Sequence, residues 1–174
     1  MHNLRFLLHI IPFMYNLTPS IISIPATRLV GCRQTISMAD YRVEQLWKTL
    51  MPLRSAIESV KGTDLISMAI YPSDYYRAFD PTRPFEKWAA VEVSDWGVVP
   101  GGLESFEIPA GEYAVFAYKG PAHDASIFQY IFSSWLPASG YVLDDRPHFE
   151  RLGPKYRNHH PDSEEEIWIP VRSR

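Results

Sequence analysis

Apolar residues in the first half of the chain recur with two periods, that of a strand and that of a helix. Strands are predicted over Arg28–Ile36, Leu65–Tyr71 and Trp88–Val93. Between the first two of these, four apolar residues recur at helical spacing: Val43, Leu46, Trp47 and Leu50. They predict a helix over residues 41–59, kinked or divided at Pro52. The first half is therefore predicted to run strand, helix, strand, strand.

The second half repeats this order. Its predicted strand, helix and two further strands are Glu112–Lys119, Asp124–Leu136, Phe149–Leu152 and Ile167–Val171. The triplet Ile-Pro-Ala precedes the first long strand of each half, at residues 24–26 and 108–110. A segment over residues 95–102, ending in Pro-Gly-Gly, is interpreted as the linker between them. We therefore predict a duplication with halves at residues 21–94 and 105–172.

Neither predicted half could bury the apolar face of its helix alone, so the two must share one sheet. The predicted fold class is α+β. Two pseudo-symmetric β-α-β-β repeats form a mostly antiparallel sheet, with helices on one face and a ligand cleft on the other.

Alternation along each strand assigns its residues to one of the two faces. On the last strand the aliphatic residues Ile167, Ile169 and Val171 are predicted to face the helices. On the other strands the same reasoning takes the most apolar set as helix-facing, including Met68, Val91 and Phe149. The residues then predicted to share the open face are Tyr71, Trp88, Glu150, Glu166 and Trp168.

Aromatic walls that carry carboxylates suit a flat or cationic organic ligand, because ring faces attract cations and a carboxylate supplies the opposite charge. The same surroundings raise the pKa of a glutamate, which suits general acid or base catalysis. Glu150 stands alone in its strand and is the stronger candidate. Glu166 belongs to the run Glu164–Glu166, and such runs are usually solvated; the tryptophans could equally shield an exposed sheet.

Composition narrows the range of functions. The net charge of −3, without a basic stripe, gives no support for nucleic-acid binding. The single cysteine, Cys32, cannot form an internal disulfide and favours a reducing cytoplasm. His159 and His160 lack a second ligand cluster, and no phosphate-binding loop or nucleophile motif is present, so neither a metal nor another cofactor is predicted.

The first 20 residues are interpreted separately from the rest. The apolar run from Met1 to Leu17 is too short to span a membrane as a helix and lacks the features of a signal peptide. We interpret residues 1–20 as a flexible leader or the result of a misassigned start, with Met14 as the alternative start. Residues 21–174 are predicted to form a single domain.

Several segments together resemble the GyrI-like family, also called the AraC effector-binding or bacterial transcription-activator effector-binding domain. The segments that carry the resemblance are Ile108–Phe116, Gly120-Pro121, Trp135–Tyr141, Phe149-Glu150 and Glu166–Val171, with Leu46-Trp47, Phe79-Asp80, Phe85–Lys87 and Val91–Val93 in the first half. The resemblance implies two pseudo-symmetric halves with a ligand cleft between them. In that cleft a glutamate at the position of Glu150 contacts cationic, lipophilic compounds, and the last strand adds Glu166 and Trp168. Leu152 departs from the aromatic residue found there in many members, so ligand identity does not transfer.

The resemblance implies three functions. The leading one is a stand-alone protein that binds a small hydrophobic ligand, which can be cationic, with Glu150 as counter-ion. The alternative is a hydrolase of cyclopropane-bearing or other electrophilic genotoxins, in which Glu150 orients or deprotonates water. The third is an interaction protein that inhibits gyrase or contacts a regulator, for which the acidic segment Asp162–Glu166 is the one available feature. Direct DNA binding is not expected, because nothing before Ile21 is long enough for a helix-turn-helix domain.

Overall fold

The computed structural model describes residues 17–78, 80–122 and 124–174. Its strands are β1 Ser20–Ile24, β2 Thr27–Ile36, β3 Leu65–Ile70, β4 Phe85–Val93, β5 Glu104–Ile108, β6 Gly111–Lys119, β7 Tyr141–Leu143, β8 His148–Leu152 and β9 Glu164–Ser173. Helix α1 is Glu44–Leu53. The second helical segment, α2, begins as Ser126–Tyr130, continues as a π-helical stretch over Ile131–Trp135 and ends with Leu136–Ala138. Short 3-10 turns occupy Arg54–Ala56 and Tyr75–Arg77.

The sheet has the strand order β1-β6-β9-β8-β3-β4-β2-β5, with β7 added beside β9, and each of these pairings is antiparallel. Strands β1, β2, β3 and β4 of the first half correspond to β5, β6, β8 and β9 of the second. When each strand is replaced by its counterpart, the order reads the same from either end. The pseudo-twofold axis therefore passes between β3 and β8, the two central strands. The predicted α+β fold with two pseudo-symmetric repeats is confirmed.

Two short strands were missing from the predicted repeat. β1 and β5 each end at the isoleucine of an Ile-Pro-Ala triplet, and each pairs with the long strand of the other half, β1 with β6 and β5 with β2. Each has five residues and is largely exposed, so neither shows the sustained alternation that signals a half-buried strand. The repeat is therefore β-β-α-β-β, and the two halves exchange their first strands.

Both helices differ from their predicted bounds. The first was predicted over residues 41–59, but α1 ends at Leu53, directly after Pro52, and passes into the 3-10 turn. Proline lacks an N–H to donate and its ring crowds the preceding turn, so it favours this early end. The second runs close to its predicted length, but its centre is a π-helical stretch.

The two helices lie over opposite ends of one sheet face. On α1, Leu46 and Leu50 pack against a cluster that includes Val30 and Val91 of β2 and β4. On α2, the residues that pack against Phe116, Ile167 and Ile169 of β6 and β9 are Ile127 and Ile131. The central strands β3 and β8 are left between the helices on this face.

Of the predicted leader, residues 1–16 lie outside the described part of the chain. Its last residue, Ser20, begins β1, and the carbonyl of Leu17 accepts a hydrogen bond of 3.1 Å from the Tyr130 hydroxyl. Within the described residues, no helix combines the length and the apolar character that a membrane crossing needs.

Candidate functional site

The strand register shows which predicted site residues share a face. Residues directly opposite each other on neighbouring strands point to the same side. Met68 lies opposite both Trp88 and Phe149, and Phe149 lies opposite Trp168. These four residues belong to one buried cluster on the face away from the helices, which we call the tryptophan face. Glu150 lies opposite Ile167, on the helix side.

The prediction that all five site residues share one open face is therefore wrong. The assignments for β4 and β9 are correct, because Val91 and Ile167 do face the helices. Those for β3 and β8 are inverted. The reasoning took the most apolar residues of each strand as helix-facing, but at the sheet centre the tryptophan face is itself a buried core and takes Met68 and Phe149. Tyr71 and Glu150 are consequently on the helix side.

The tryptophans do not form the walls of an open cleft. Trp88 is 2% exposed and Trp168 is 7% exposed, and the Trp168 ring stacks on Phe149 with centroids 5.1 Å apart. Each indole N–H donates to the glutamate two residues earlier, Trp88 to Glu86 at 2.7 Å and Trp168 to Glu166 at 3.0 Å. Glu166 is therefore engaged with Trp168 on the tryptophan face, away from Glu150.

A polar and aromatic cluster occupies the space between the helices. We call it the interhelical site, and its residues are Tyr71, Tyr76, Lys87, Phe132, His148, Glu150 and Glu165. It lies on the pseudo-twofold axis, because β3 and β8 supply its floor. Two small residues of β3 on the same face, Ser67 and Ala69, lie opposite Glu150 and His148.

Lys87 and Glu150 form the charged centre of this site. The Lys87 ammonium lies 3.3 Å from a carboxylate oxygen of Glu150, and the two side chains are 5% and 21% exposed. Burial by itself lowers the pKa of Lys87, but the carboxylate of Glu150 more than offsets this, and the pKa is raised. Lys87 is therefore an ammonium, and Glu150 is its counter-ion.

Four rings join the two halves across the site. Tyr76, in the 3-10 turn after β3, lies 4.9 Å from Phe132 of α2 and stacks on His148 at 5.6 Å, measured between ring centroids. Tyr71 contacts His148 edge-on at 5.0 Å. Burial, with Lys87 nearby, lowers the pKa of His148 to about 3, so the imidazole is neutral near pH 7. The π-helical stretch carries Phe132 into this contact.

Glu165 is a second carboxyl group on the same face. It precedes Ile167 by two residues on β9, and Ile167 lies opposite Glu150, so the two glutamates are diagonal neighbours. Burial, followed by the charge of Glu150, raises the pKa of Glu165 to about 7. Two further tyrosines feel these charges, Tyr41 before α1 and Tyr156 after β8, and burial raises the pKa of each.

The sequence reasoning overlooked Lys87, His148 and Glu165, although alternation could have found two of them. Lys87 lies four residues before Val91 on β4, and Glu165 lies two residues before Ile167 on β9. Val91 and Ile167 were correctly predicted to face the helices, so alternation places Lys87 and Glu165 on the same side. His148 lies two residues before Glu150 on β8, so alternation also places it on the face of Glu150. Tyr76 and Phe132 reach the site through turn and helix geometry, for which strand alternation gives no signal.

The chemistry of the site is that of a hydrophobic enclosure with opposed charges. It contains one ammonium, two carboxyl groups and a neutral imidazole among aromatic rings. Within the described residues, no group of three or more His, Cys, Asp and Glu side chains could hold a metal ion. Two surface depressions of about 250 and 320 Å³ lie elsewhere, one beside Trp135 and the other beside Arg28 and Glu92. Neither includes the charged centre.

Comparison with known proteins agrees with this architecture. The sequence profile described as the GyrI-like small molecule binding domain matches residues 17–172. The transcriptional regulator BrlR of Pseudomonas aeruginosa is 30% identical over 158 residues, which are 90% of this chain and 56% of that protein. The chain thus spans little more than half the length of this relative.

Solved structures share the fold at low sequence identity. SAV2435 bound to tetraphenylphosphonium has a TM-score of 0.63 and 14% identity, covering 88% of this chain and 93% of that one. The C-terminal domain of EcmrR has a TM-score of 0.64 and 18% identity, covering 91% and 99%. A hydrolase encoded by lin2189 of Listeria innocua has a TM-score of 0.54 and 13% identity, covering 91% and 94%. With nearly its whole length matched by the family profile, this chain belongs to the GyrI-like small molecule binding domain family.

Proposed function

We propose that this protein binds a small hydrophobic ligand, and specifically a lipophilic cation, at the interhelical site. The observation that carries the proposal is the position of that site. Partly buried carboxyl groups and aromatic rings meet where the two halves join, in a chain of a small-molecule-binding family.

The physical argument rests on what such a site offers a cation. Tyr71 and Phe132 contribute aromatic rings to the site, and ring faces attract a positive charge by about 0.5–2 kcal/mol each. The carboxyl groups of Glu150 and Glu165 add negative charge in surroundings that water screens poorly. SAV2435, which has the same fold, was solved with tetraphenylphosphonium, and this supports a ligand of that class here.

Isothermal titration calorimetry with tetraphenylphosphonium tests the proposal, with the neutral triphenylphosphine oxide as the ligand control. We expect measurable binding of the cation and binding of the neutral compound at least about tenfold weaker, because the difference of about 1.4 kcal/mol is modest for a poorly screened carboxylate. Equal affinity for both, or binding of neither, would count against a cation site.

A matched pair of variants locates the binding. Phe132→Ala removes a ring of the interhelical site, and Phe106→Ala removes a partly buried ring that contacts Trp88 on the tryptophan face at 5.3 Å. We expect Phe132→Ala to weaken cation binding by roughly three- to tenfold and Phe106→Ala to leave it unchanged. The opposite result would move the ligand to the other face.

A second candidate function is hydrolysis of an electrophilic compound. The specific observation in its favour is Glu165, whose pKa of about 7 suits a general base near neutral pH. Glu150, the base expected from the sequence, is engaged in an ion pair with the buried ammonium of Lys87. Mass spectrometry of a cyclopropane-bearing compound incubated with the protein would detect the added water. Turnover that Glu165→Gln abolishes would support the enzyme, and an unchanged compound would not.

The expected compartment and partners have grounds separate from the ligand proposal. We expect a cytoplasmic protein, in keeping with the buried free thiol of Cys32. A regulator or gyrase as protein partner stays a prediction from the family resemblance.

A further inference from the structure

The charges of the interhelical site are already partly balanced within the protein. Lys87 is almost fully buried, and its ammonium lies within ion-pair distance of Glu150. A ligand cation that approached Glu150 would therefore meet a carboxylate whose charge is offset by a buried ammonium. Withdrawal of Glu150 from Lys87 would leave that ammonium buried without a counter-ion, which is strongly unfavourable.

Among the residues that the structure describes, Glu165 has no such partner. Its two neighbours in sequence are engaged elsewhere, Glu164 with Lys155 at 3.0 Å and Glu166 with the indole of Trp168. In the part of the chain that the structure describes, no cationic side chain lies within 4.0 Å of the Glu165 carboxyl group. As a diagonal neighbour, its backbone is about 7–8 Å from that of Glu150, so its side chain faces the same space between the helices.

We propose that Glu165, and not Glu150, neutralises the charge of a cationic ligand, and that binding releases to solvent the proton that Glu165 carries in the free protein. The inference rests on the proposed function and names its regulation: proton and cation compete for one carboxyl group. Lys87 sets this division of roles by engaging Glu150.

Burial and the nearby negative charge support the protonated state of Glu165 in the free protein, because both raise its pKa, to about 7. The titratable and charged groups around it come from six elements or loops: Tyr41 before α1, Lys87 on β4, Tyr118 on β6, Glu150 on β8, Tyr156 after β8, and Glu164 and Glu166 on its own strand. Tyr118 is hydrogen bonded to Asp124 at 3.1 Å. Of these groups, Lys87 is the one that favours the carboxylate form, and it does so weakly against the other effects.

A ligand cation beside Glu165 adds the positive charge that this carboxyl group lacks and so favours its ionised form. The sign of the pH effect follows. Below about pH 7 the ligand must displace a proton, so affinity falls as the pH falls. Above about pH 7 the group is already ionised, and affinity no longer depends on it.

Calorimetry of tetraphenylphosphonium binding in two buffers of different ionisation enthalpy measures the proton directly. At about pH 6 the wild-type protein is expected to release close to one proton for each ligand bound, and at about pH 8 close to none. The affinity at about pH 8 is expected to be about tenfold higher than at about pH 6, because the ionised fraction rises by that factor.

Three variants identify the glutamate that releases the proton. Glu165→Gln should abolish both the proton release and the pH dependence. Glu166→Gln, on the opposite face, should keep both. Glu150→Gln should move the inflection of the proton release to lower pH, because it removes the negative charge that raises the pKa of Glu165. Circular dichroism checks that each variant is folded, and carbon NMR of the Glu165 carboxyl group, with and without ligand, gives its pKa in the wild-type protein.

The outcomes are distinguishable. Binding by the wild-type protein without proton release at about pH 6, or proton release that survives in Glu165→Gln, overturns this inference and leaves the proposed function standing. Absence of binding at every pH overturns the proposed function, and the inference with it.

Discussion

The two faces of the sheet are both covered, but they differ in chemistry at equivalent positions. On the tryptophan face, Trp88, Met68, Phe149 and Trp168 form a continuous buried cluster, and its polar indole groups are satisfied by nearby glutamates. Between the helices, the same four strands present Lys87, Glu150 and other polar groups. One residue step along each strand therefore separates a core that stabilises the fold from a site that can recognise charge.

This difference explains how the protein can place charged groups near its centre. The central strands receive their stabilisation from the tryptophan face, where Met68 and Phe149 are buried. The other side of those strands carries Glu150 and His148. The predictions below test whether stability and recognition are divided between the two faces in this way.

The largest effect is expected on the tryptophan face. Trp88→Ala removes a ring that is 2% exposed and should lower the free energy of unfolding by about 3–5 kcal/mol. Urea denaturation measures this loss. A loss below about 1 kcal/mol would show that this face is not the main source of stability.

The next effect is expected at the ion pair. Glu150→Gln leaves the ammonium of Lys87 buried without a counter-ion and should cost about 2–4 kcal/mol of unfolding free energy, somewhat less than a fully buried pair because Glu150 is partly exposed. The double variant Lys87→Met with Glu150→Gln should recover most of that loss. Urea denaturation of both proteins checks this, and a double variant no more stable than the single one would contradict a dominant role for the unpaired charge.

A smaller effect concerns the pH dependence of stability. The pKa of Glu165 is raised from 4.5 to about 7, so the folded protein holds a proton that the unfolded chain has lost. Its contribution to stability is therefore fully present below about pH 4.5 and is lost as the pH rises to about 7. We expect Glu165→Gln to gain about 1–3 kcal/mol relative to the wild-type protein over this range.

Thermal and urea unfolding of the two proteins at matched pH values measures that gain. His148 contributes the opposite slope below pH 6.5, because burial lowers its pKa to about 3, but it does so in both proteins. A constant stability difference between the variant and the wild-type protein from about pH 4 to about pH 8 would contradict the assignment of Glu165.

The smallest effect is expected at the rim of the interhelical site. Tyr76 is 43% exposed, and its ring stacks where a ligand ring would contact His148. Tyr76→Ala should therefore strengthen tetraphenylphosphonium binding by roughly two- to tenfold, the equivalent of one aromatic contact. Tyr41→Ala removes another half-exposed tyrosine ring near the site and is the control variant for ligand affinity. Weaker binding by Tyr76→Ala would mean that Tyr76 contacts the ligand and does not compete with it.

The sequence predicted the duplication, the helices and the faces of β4 and β9, because these strands alternate plainly under a helix. It could not predict the faces of β3 and β8. A strand with one apolar set normally turns that set to the helices, and nothing in residues 65–71 reveals that the other face is a second core. Glu150 was identified because it stands alone in its strand. Lys87 was overlooked, although its spacing from Val91 on β4 places it on the helix side. The ring contacts of Tyr76 depend on a turn, for which local sequence gives no register.

The exchange of first strands has a consequence for how the chain assembles. β1 finds its partner β6 only in the second half, and β2 receives β5 only after the linker has been made. On a ribosome, β1 would emerge long before the strand that completes its hydrogen bonds. Contacts this distant in sequence slow folding, so the halves are expected to acquire their final structure together, in one late cooperative step. The charged centre on the pseudo-twofold axis would form in that same step, when the strands of the two halves pair.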